Sequence, residues 1–211
     1  MGEKPILFSG PAVRAVLEGR KDVTRRLMNP QPPENSEFLG NNYLGDWCWS
    51  PLSFGAHNEW RSPRYRKGDL LYVKEAWRAD HIYDDESPRA IPKYADIEYL
   101  ATDIPYFAGR YRNARFMCKW MTRLWLRVTE DPYPERARDI TEAEAIREGV
   151  ERFTSPIGVQ GWKPYYKGNL DVLQFAVNSY YTLWDSIYKP GAHLTDWAWR
   201  YAFERTEAPH G

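Results

Sequence analysis

Gly68-Asp69-Leu70-Leu71-Tyr72-Val73-Lys74-Glu75-Ala76-Trp77 is the stretch on which the fold turns. Gly-Asp is turn chemistry. Behind it, Leu71, Val73 and Glu75 fall on one face of an extended chain, and Leu70, Tyr72 and Lys74 on the other. The pattern predicts a strand mostly buried on both sides. Glu75 inside such a strand needs a partner, and the ordinary one is an arginine. Upstream, Ile6-Leu7-Phe8 reads as a short strand. Ser9 and Pro11 then open a helix over 11–18 with the apolar stripe Val13, Val16 and Leu17. Gly19 ends it, and 19–26 form the turn and strand that leave it.

Downstream, a strand is predicted at Ile97–Ala101. In Met121–Glu130, Leu124, Leu126 and Val128 alternate with Trp125, Arg127 and Thr129. Thr141 with Glu144 makes a capping-box start for a helix over 141–149, which Gly149 ends. Asp171–Trp184 carries a helical period, and Trp197–Phe203 closes as a strand with Trp197, Trp199, Tyr201 and Phe203 on one face. Residues 29–66 are punctuated by prolines and read as an irregular insertion pinned by Trp47, Trp49, Phe54 and Trp60. Residues 78–118 form a mixed insertion, and 151–170 a loop. The sum is an α+β chain, a single domain over 1–211. Its core is a small, partly open β-barrel with peripheral helices and long insertions.

The chain has 211 residues, with Lys+Arg 29 against Asp+Glu 29. A balanced charge excludes a bulk polycation, so any nucleic-acid contact must come from a local patch. Hydrophobic residues at 43% exclude wholesale disorder. Aromatics are abundant, with 10 Trp, 15 Tyr and 8 Phe, enough for a solid core and for flat ligand surfaces. Cys48 and Cys118 are far apart and match no zinc spacing, so two buried free thiols in a reducing cytoplasm are expected. No signal peptide or membrane-length apolar run is seen.

Phosphate loops, nucleophile elbows and zinc-protease helices are missing from the sequence, and its histidines are scattered. The strongest local signal is Gly19-Arg20-Lys21-Asp22-Val23-Thr24-Arg25-Arg26, where four cations and a hydroxyl leave a glycine turn. A solvated basic turn is the bland alternative. The sharper one is a phosphate site, or a lysine that takes a threonine proton. Cations also interleave with rings at Arg61–Lys67 and at Arg110, Tyr111, Arg112, Arg115, Phe116, Lys119, Trp120 and Arg123. That alternation suits single-stranded nucleic acid, and ordinary surface charge is its alternative. Glu148 ends a short helix, where a carboxylate opposes the helix dipole and so meets a cation, lies exposed, or serves a task.

Three ordered blocks resemble the ASCH-domain family: Leu17–Arg26, Gly68–Trp77, and Ile140-Thr141-Glu142 through Glu148-Gly149-Val150. Leu183–Ile187 and Trp197-Ala198-Trp199 resemble the larger members from phages and prophages. The resemblance implies a PUA-like barrel with a cleft that handles RNA or nucleosides, in a bacterial host's cytoplasm. Some small bacterial members are amidohydrolases of N4-acetylcytidine. Their catalytic lysine, threonine and glutamate fall, motif to motif, on Lys21, Thr24 and Glu148. Asp22 departs from the small hydroxyl residue common after that lysine, and Lys74-Glu75 from the small amidohydrolases at the strand end.

In that reading Thr24 attacks or orients water, and Lys21 takes its proton or stabilises charge. Glu148 carries a proton to the leaving amine through a carboxyl of raised pKa. Arg20, Arg25, Arg26, Lys74, Glu75 and Trp77 are the substrate-binding candidates, with Trp77 and then Tyr72 as stacking surfaces for a pyrimidine. No metal or other cofactor is called for. The partner is a modified nucleoside or single-stranded nucleic acid, with no membrane. A non-catalytic RNA- or DNA-binding module is the alternative class, and a ribonuclease a weaker one.

Overall fold

A computed structural model describes residues 2–42, 45–52, 57–104, 106, 108–166, 171–188 and 192–209. In chain order the elements are β1 (Glu3–Leu7), α1 (Gly10–Leu17), β2 (Val23–Leu27), β3 (Ser36–Asn41), β4 (Trp47–Pro51) and β5 (Glu59–Arg61). Next come β6 (Leu70–Lys74), β7 (Trp77–Arg78), β8 (Glu98–Tyr99), β9 (Trp125–Val128), β10 (Tyr133–Arg136) and α2 (Glu142–Arg147). The chain ends with β11 (Arg152–Thr154), β12 (Gln160–Trp162), α3 (Ala176–Tyr188) and β13 (Trp197–Thr206). The class is α+β, mostly sheet with three helices. Among the described residues no ladder closes into a ring. No described helix is long and apolar enough to cross a membrane.

Contacts divide the chain into two compact units, each drawn from segments far apart in sequence. The first comprises Met1–Asp22, Gly68–Thr129 and Phe203–Gly211. In it β1 runs parallel to β6, β6 antiparallel to β9, and β9 antiparallel to the Phe203–Thr206 half of β13. Leu71, Val73, Leu126 and Val128 are buried from this ladder. The opposite face of β6 is only half-buried, so the strand is less enclosed than its apolar run suggests. The strand stops at Lys74, because Glu75 turns to an arginine and Trp77 begins a new pairing with Tyr99. Trp77, Ala79, Ile91, Met117 and Met121 form a separate small core inside the 78–118 insertion.

The second unit comprises Val23–Lys67 and Glu130–Ala202. Residues Ala198–Ala202 of β13 pair antiparallel with β2, and the start of β13 pairs with β10. Against this ladder stands a core of Ala137, Ile140, Ala145, Val150, Trp162, Ala176, Tyr180, Trp184 and Ala198. The helices α2 and α3 carry much of it, by the apolar spacing of Ala145 on one and Ala176, Tyr180 and Trp184 on the other.

Several expectations need correction. Residues 29–66 are not irregular throughout: β3, β4 and β5 make an antiparallel sheet. Their alternation is hidden by a register shift between Phe38 and Gly40 and by the solvent exposure of β3. Trp49 is fully buried and packs edge-on against Trp197 at 5.5 Å, while Phe38 stacks on Trp47 at the same spacing. Trp60 is half-exposed and pins little, and Phe54 lies outside the described residues.

The segment after α2 is not a plain loop, since β11 and β12 form a hairpin. The third helix starts at Ala176, later than its period suggests. Leu173 is taken by a bridge to Trp162, and the Glu142 carboxylate accepts from the Ala176 and Val177 amides at 2.6 and 3.0 Å. That cap comes from another helix and leaves no local sequence signal. The Met121–Glu130 strand begins only at Trp125, and the 97–101 strand shrinks to Glu98–Tyr99. Both cysteines are free, with Cys48 buried but Cys118 only half-buried.

Candidate functional site

Lys21 belongs to the first unit. The end of α1 winds tightly: the Arg20 and Lys21 amides both donate to the Ala15 carbonyl, at 2.8 and 3.0 Å. Gly19 sits at φ +72, a conformation in which a Cβ is costly. This turn sends the two neighbouring cations different ways. Arg20 stays outside and pairs with Glu18 at 2.6 Å. Lys21 goes inside, 6% exposed, with its Nζ 5.7 Å above the centre of the buried Phe8 ring. The Phe8 amide in turn donates to the Lys74 carbonyl at 3.0 Å, tying this corner to the end of β6.

Thr24 and Glu148 belong to the second unit, at 4% and 5% exposure. On β2, Thr24 lies opposite Tyr201 and Arg25 opposite Arg200. Successive strand residues point to opposite faces, so Thr24 and Arg26 share one face and Arg25 takes the other. Arg25 is buried among carboxylates. Its Nη1 donates to Glu148 Oε1 at 3.1 Å and its Nη2 to Glu144 Oε2 at 2.8 Å, while its Nε is ion-paired with Glu135. Arg200 adds Nη2 to Glu144 Oε1 at 2.9 Å and Nη1 to Glu130 Oε2 at 2.8 Å. The Tyr180 ring lies 5.9 Å from the Arg25 guanidinium.

The short helix α2 builds half of this network. Thr141 caps it, its hydroxyl accepting from the Glu144 amide at 3.2 Å. The Glu144 side chain does not complete the capping box but reaches the two arginines. Glu148 is the residue that closes the helix, just before Gly149 at φ +84. A carboxylate at that end opposes the helix dipole, and Arg25 answers it.

The electrostatics set two of these acids apart. Burial alone would raise Glu144, but the hydrogen bonds and charges of Arg200 and Arg25 hold it at about 2. Glu135 is pushed up by burial, which the Arg25 charge only partly offsets. The two arginines lose solvation, yet their carboxylates keep both pKa values above the ordinary arginine value. Burial also drives Tyr180 well above the usual tyrosine range. Glu135 therefore carries a raised pKa within this network.

The substrate-binding candidates fare unevenly. Arg25 is committed to carboxylates and offers no donor fork to a phosphate. Arg26 is half-buried on the Thr24 face, near Tyr201, whose hydroxyl accepts from the Arg64 amide at 3.2 Å. In the first unit, Glu75 is buried and held in a two-point grip by Arg123, both contacts 3.0 Å. Burial raises its pKa despite that arginine. Lys74 is half-buried, its Nζ donating to the Arg115 carbonyl at 2.5 Å, and burial lowers its pKa.

Trp77 is corrected as a stacking surface. It is 0% exposed, with the Arg112 guanidinium 5.2 Å from its ring centre, so it packs a core and presents no face to a base. Tyr72 remains half-exposed.

Sequence reasoning missed Glu135, Glu144, Arg200 and Tyr180. The spacing of Glu144 and Glu148, four apart on one helix face, was a readable sign that they share a partner. Nothing local marks the other three. Among the described residues, no group of three or more His, Cys, Asp or Glu is placed to hold a metal ion. No protein-family model, curated protein or solved structure matches this chain.

Proposed function

We propose that this chain is an ASCH-type protein with a PUA-like barrel, and that it hydrolyses the N4-acyl amide of an acylated cytidine with Lys21, Thr24 and Glu148. One observation carries the reading: the three residues that the motifs single out are all polar and all about 95% buried. A lysine and a glutamate are rarely so enclosed without a reason. Burial of this kind keeps bulk water from an amine, a hydroxyl and a carboxyl that act on one substrate.

In this mechanism the Thr24 Oγ attacks the acyl carbon, and the neutral Lys21 amine takes the hydroxyl proton. The C–N4 bond breaks as Glu148, having received that proton, passes it to the leaving amine of cytidine. Water then attacks the Thr24 ester, releasing the carboxylic acid and restoring the hydroxyl. Alternatively Thr24 orients the water that attacks directly, with the same proton path. Arg25 positions Glu148 through the contact of its Nη1 with Oε1. The Lys21 route requires its amine to act without its third proton.

The test is to incubate the protein with N4-acetylcytidine and follow both products. Cytidine and acetate should appear in equal amounts, turnover after turnover, with little dependence on salt. An unchanged nucleoside would overturn the hydrolase. Oligonucleotide binding that weakens steeply with salt, in the absence of turnover, would move the chain to the non-catalytic class. Strand scission would mark the ribonuclease instead.

A further inference from the structure

Two adjoining cavities in the first unit, of about 570 and 440 Å³, share Pro88 and Phe116 as walls. Lys74, Arg89, Arg115 and Lys119 line the larger one, and Arg110 and Tyr111 the smaller. No carboxylate lines either among the described residues. In a chain whose acids and bases balance at 29 each, a surface with cations alone is a deliberate separation. Arg89, Arg110 and Arg115 are exposed, and the Asp84 carboxylate accepts from the Arg110 amide at 2.9 Å. Lys119 is paired with Glu3.

The rings between these cations are open. Phe116 is 55% exposed and Tyr111 58%, and the Arg115 guanidinium stands 5.5 Å from the Phe116 ring centre. Flat rings flanked by guanidinium groups suit a ligand with both flat rings and anionic charge. Asn113 fixes the short turn that presents Arg115 and Phe116, its side chain accepting from the Arg115 amide at 3.0 Å.

We propose that this surface binds single-stranded nucleic acid, with backbone phosphates at Arg89, Arg115 and Lys74 and a base stacked on Phe116. An acidic peptide would use the cations but leave the rings uncovered. A duplex would hide the base faces that Phe116 and Tyr111 can reach. The proposal does not rest on the hydrolase reading, since Lys21, Thr24 and Glu148 take no part in it and Lys74 is the one substrate-binding candidate that the two share.

The experiment is fluorescence anisotropy with a labelled oligouridylate of about ten nucleotides, a length in the range one such platform covers, at several salt concentrations. Affinity should fall with salt at a log–log slope of about −0.7 for each phosphate engaged. Phe116→Leu keeps every charge and should weaken binding by about 5- to 100-fold, the usual worth of one stacked base, without changing that slope. Arg89→Gln with Arg115→Gln should flatten the slope by about 1.4, two phosphate contacts' worth. Hydrolysis of N4-acetylcytidine by Phe116→Leu should match the parent, so a failed hydrolase and a failed platform give different results. Absence of oligouridylate binding overturns the proposal. So does a polyglutamate that binds as tightly as oligouridylate while Phe116→Leu changes the affinity for neither, which would mark a docking surface for acidic protein.

Discussion

Arg25 and Arg115 are both arginines in cation-rich stretches of sequence, yet the molecule uses them in opposite ways. Arg25 is buried and surrounded by Glu135, Glu144 and Glu148. Arg115 is exposed, faces a cavity without carboxylates, and lies beside an open phenyl ring. A count of charges cannot separate these cases, since both contribute equally to a net charge of zero. What separates them is where the acids went. The second unit gathers glutamates from β10, α2 and the end of β9's following turn onto two arginines, and the result is internal architecture. The insertion of the first unit leaves Arg89, Arg110 and Arg115 facing outward while Arg112 packs inside, and we propose that the outward three form a surface for an anion.

The comparison breaks most visibly at Arg25. Arg25→Met takes the shared cation from the buried Glu148 and from the half-buried Glu135 and Glu144, of which Glu144 keeps Arg200. Removing one partner of a buried ion pair costs about 3–5 kcal/mol, and urea unfolding should show a loss of that order. A loss below about 1 kcal/mol would mean that the network is not internal in solution.

Acid offers a second view of the same network. Glu144 is held at about 2, well below its ordinary 4.5, so its contribution is fully present above 4.5 and is lost as pH falls toward 2. Glu135 has the opposite sign: with its pKa raised by burial, it favours the folded state as pH falls through the raised value. The thermal midpoint of the parent should therefore drop between pH 4.5 and 2 more steeply than that of Glu144→Gln. Parallel curves for the two proteins would remove Glu144 from the acid response.

Smaller effects sharpen the contrast. Thr141→Ala deletes the α2 cap and should cost about 1 kcal/mol. Because α2 carries both Glu144 and Glu148, part of that loss should reappear as a weaker acid response. Arg115→Met should change folding stability by no more than about 0.5 kcal/mol, as a surface substitution does. If Arg115→Met cost as much as Arg25→Met, the distinction between the two regions would collapse.

How much of this was legible differs by element. α1 was readable because Pro11, the Val13–Val16 stripe and Gly19 all act locally. α2 was readable for the same reason, through Thr141 and Gly149. β6, β9 and β13 were readable as strands because one face of each alternates. The 29–66 sheet was not, because its alternation breaks at the Phe38–Gly40 shift and its burial comes from Trp197, far along the chain. The start of α3 was not, because its cap is the side chain of Glu142. The site divides along the same line. Lys21, Thr24 and Glu148 stand in local motifs, and the need of Glu148 for a cation could be argued from helix polarity alone. That the cation is Arg25, assigned to substrate from its basic neighbourhood, depends on pairings more than a hundred residues apart. Trp77 misled for a related reason: it follows a strand directly, but the core that encloses it is assembled from Ile91, Met117 and Met121.

The most direct test is acetate release from N4-acetylcytidine by the parent and by Lys21→Arg, each first shown to be folded by its thermal midpoint. Arginine keeps the charge but stays protonated, so it cannot supply the neutral amine that takes the Thr24 proton. The account predicts measurable turnover by the parent and a rate lower by about 100-fold or more in Lys21→Arg, the scale of a lost general base, with oligonucleotide affinity unchanged. Hydrolysis by Lys21→Arg at the parental rate, or no hydrolysis by the parent, would contradict it.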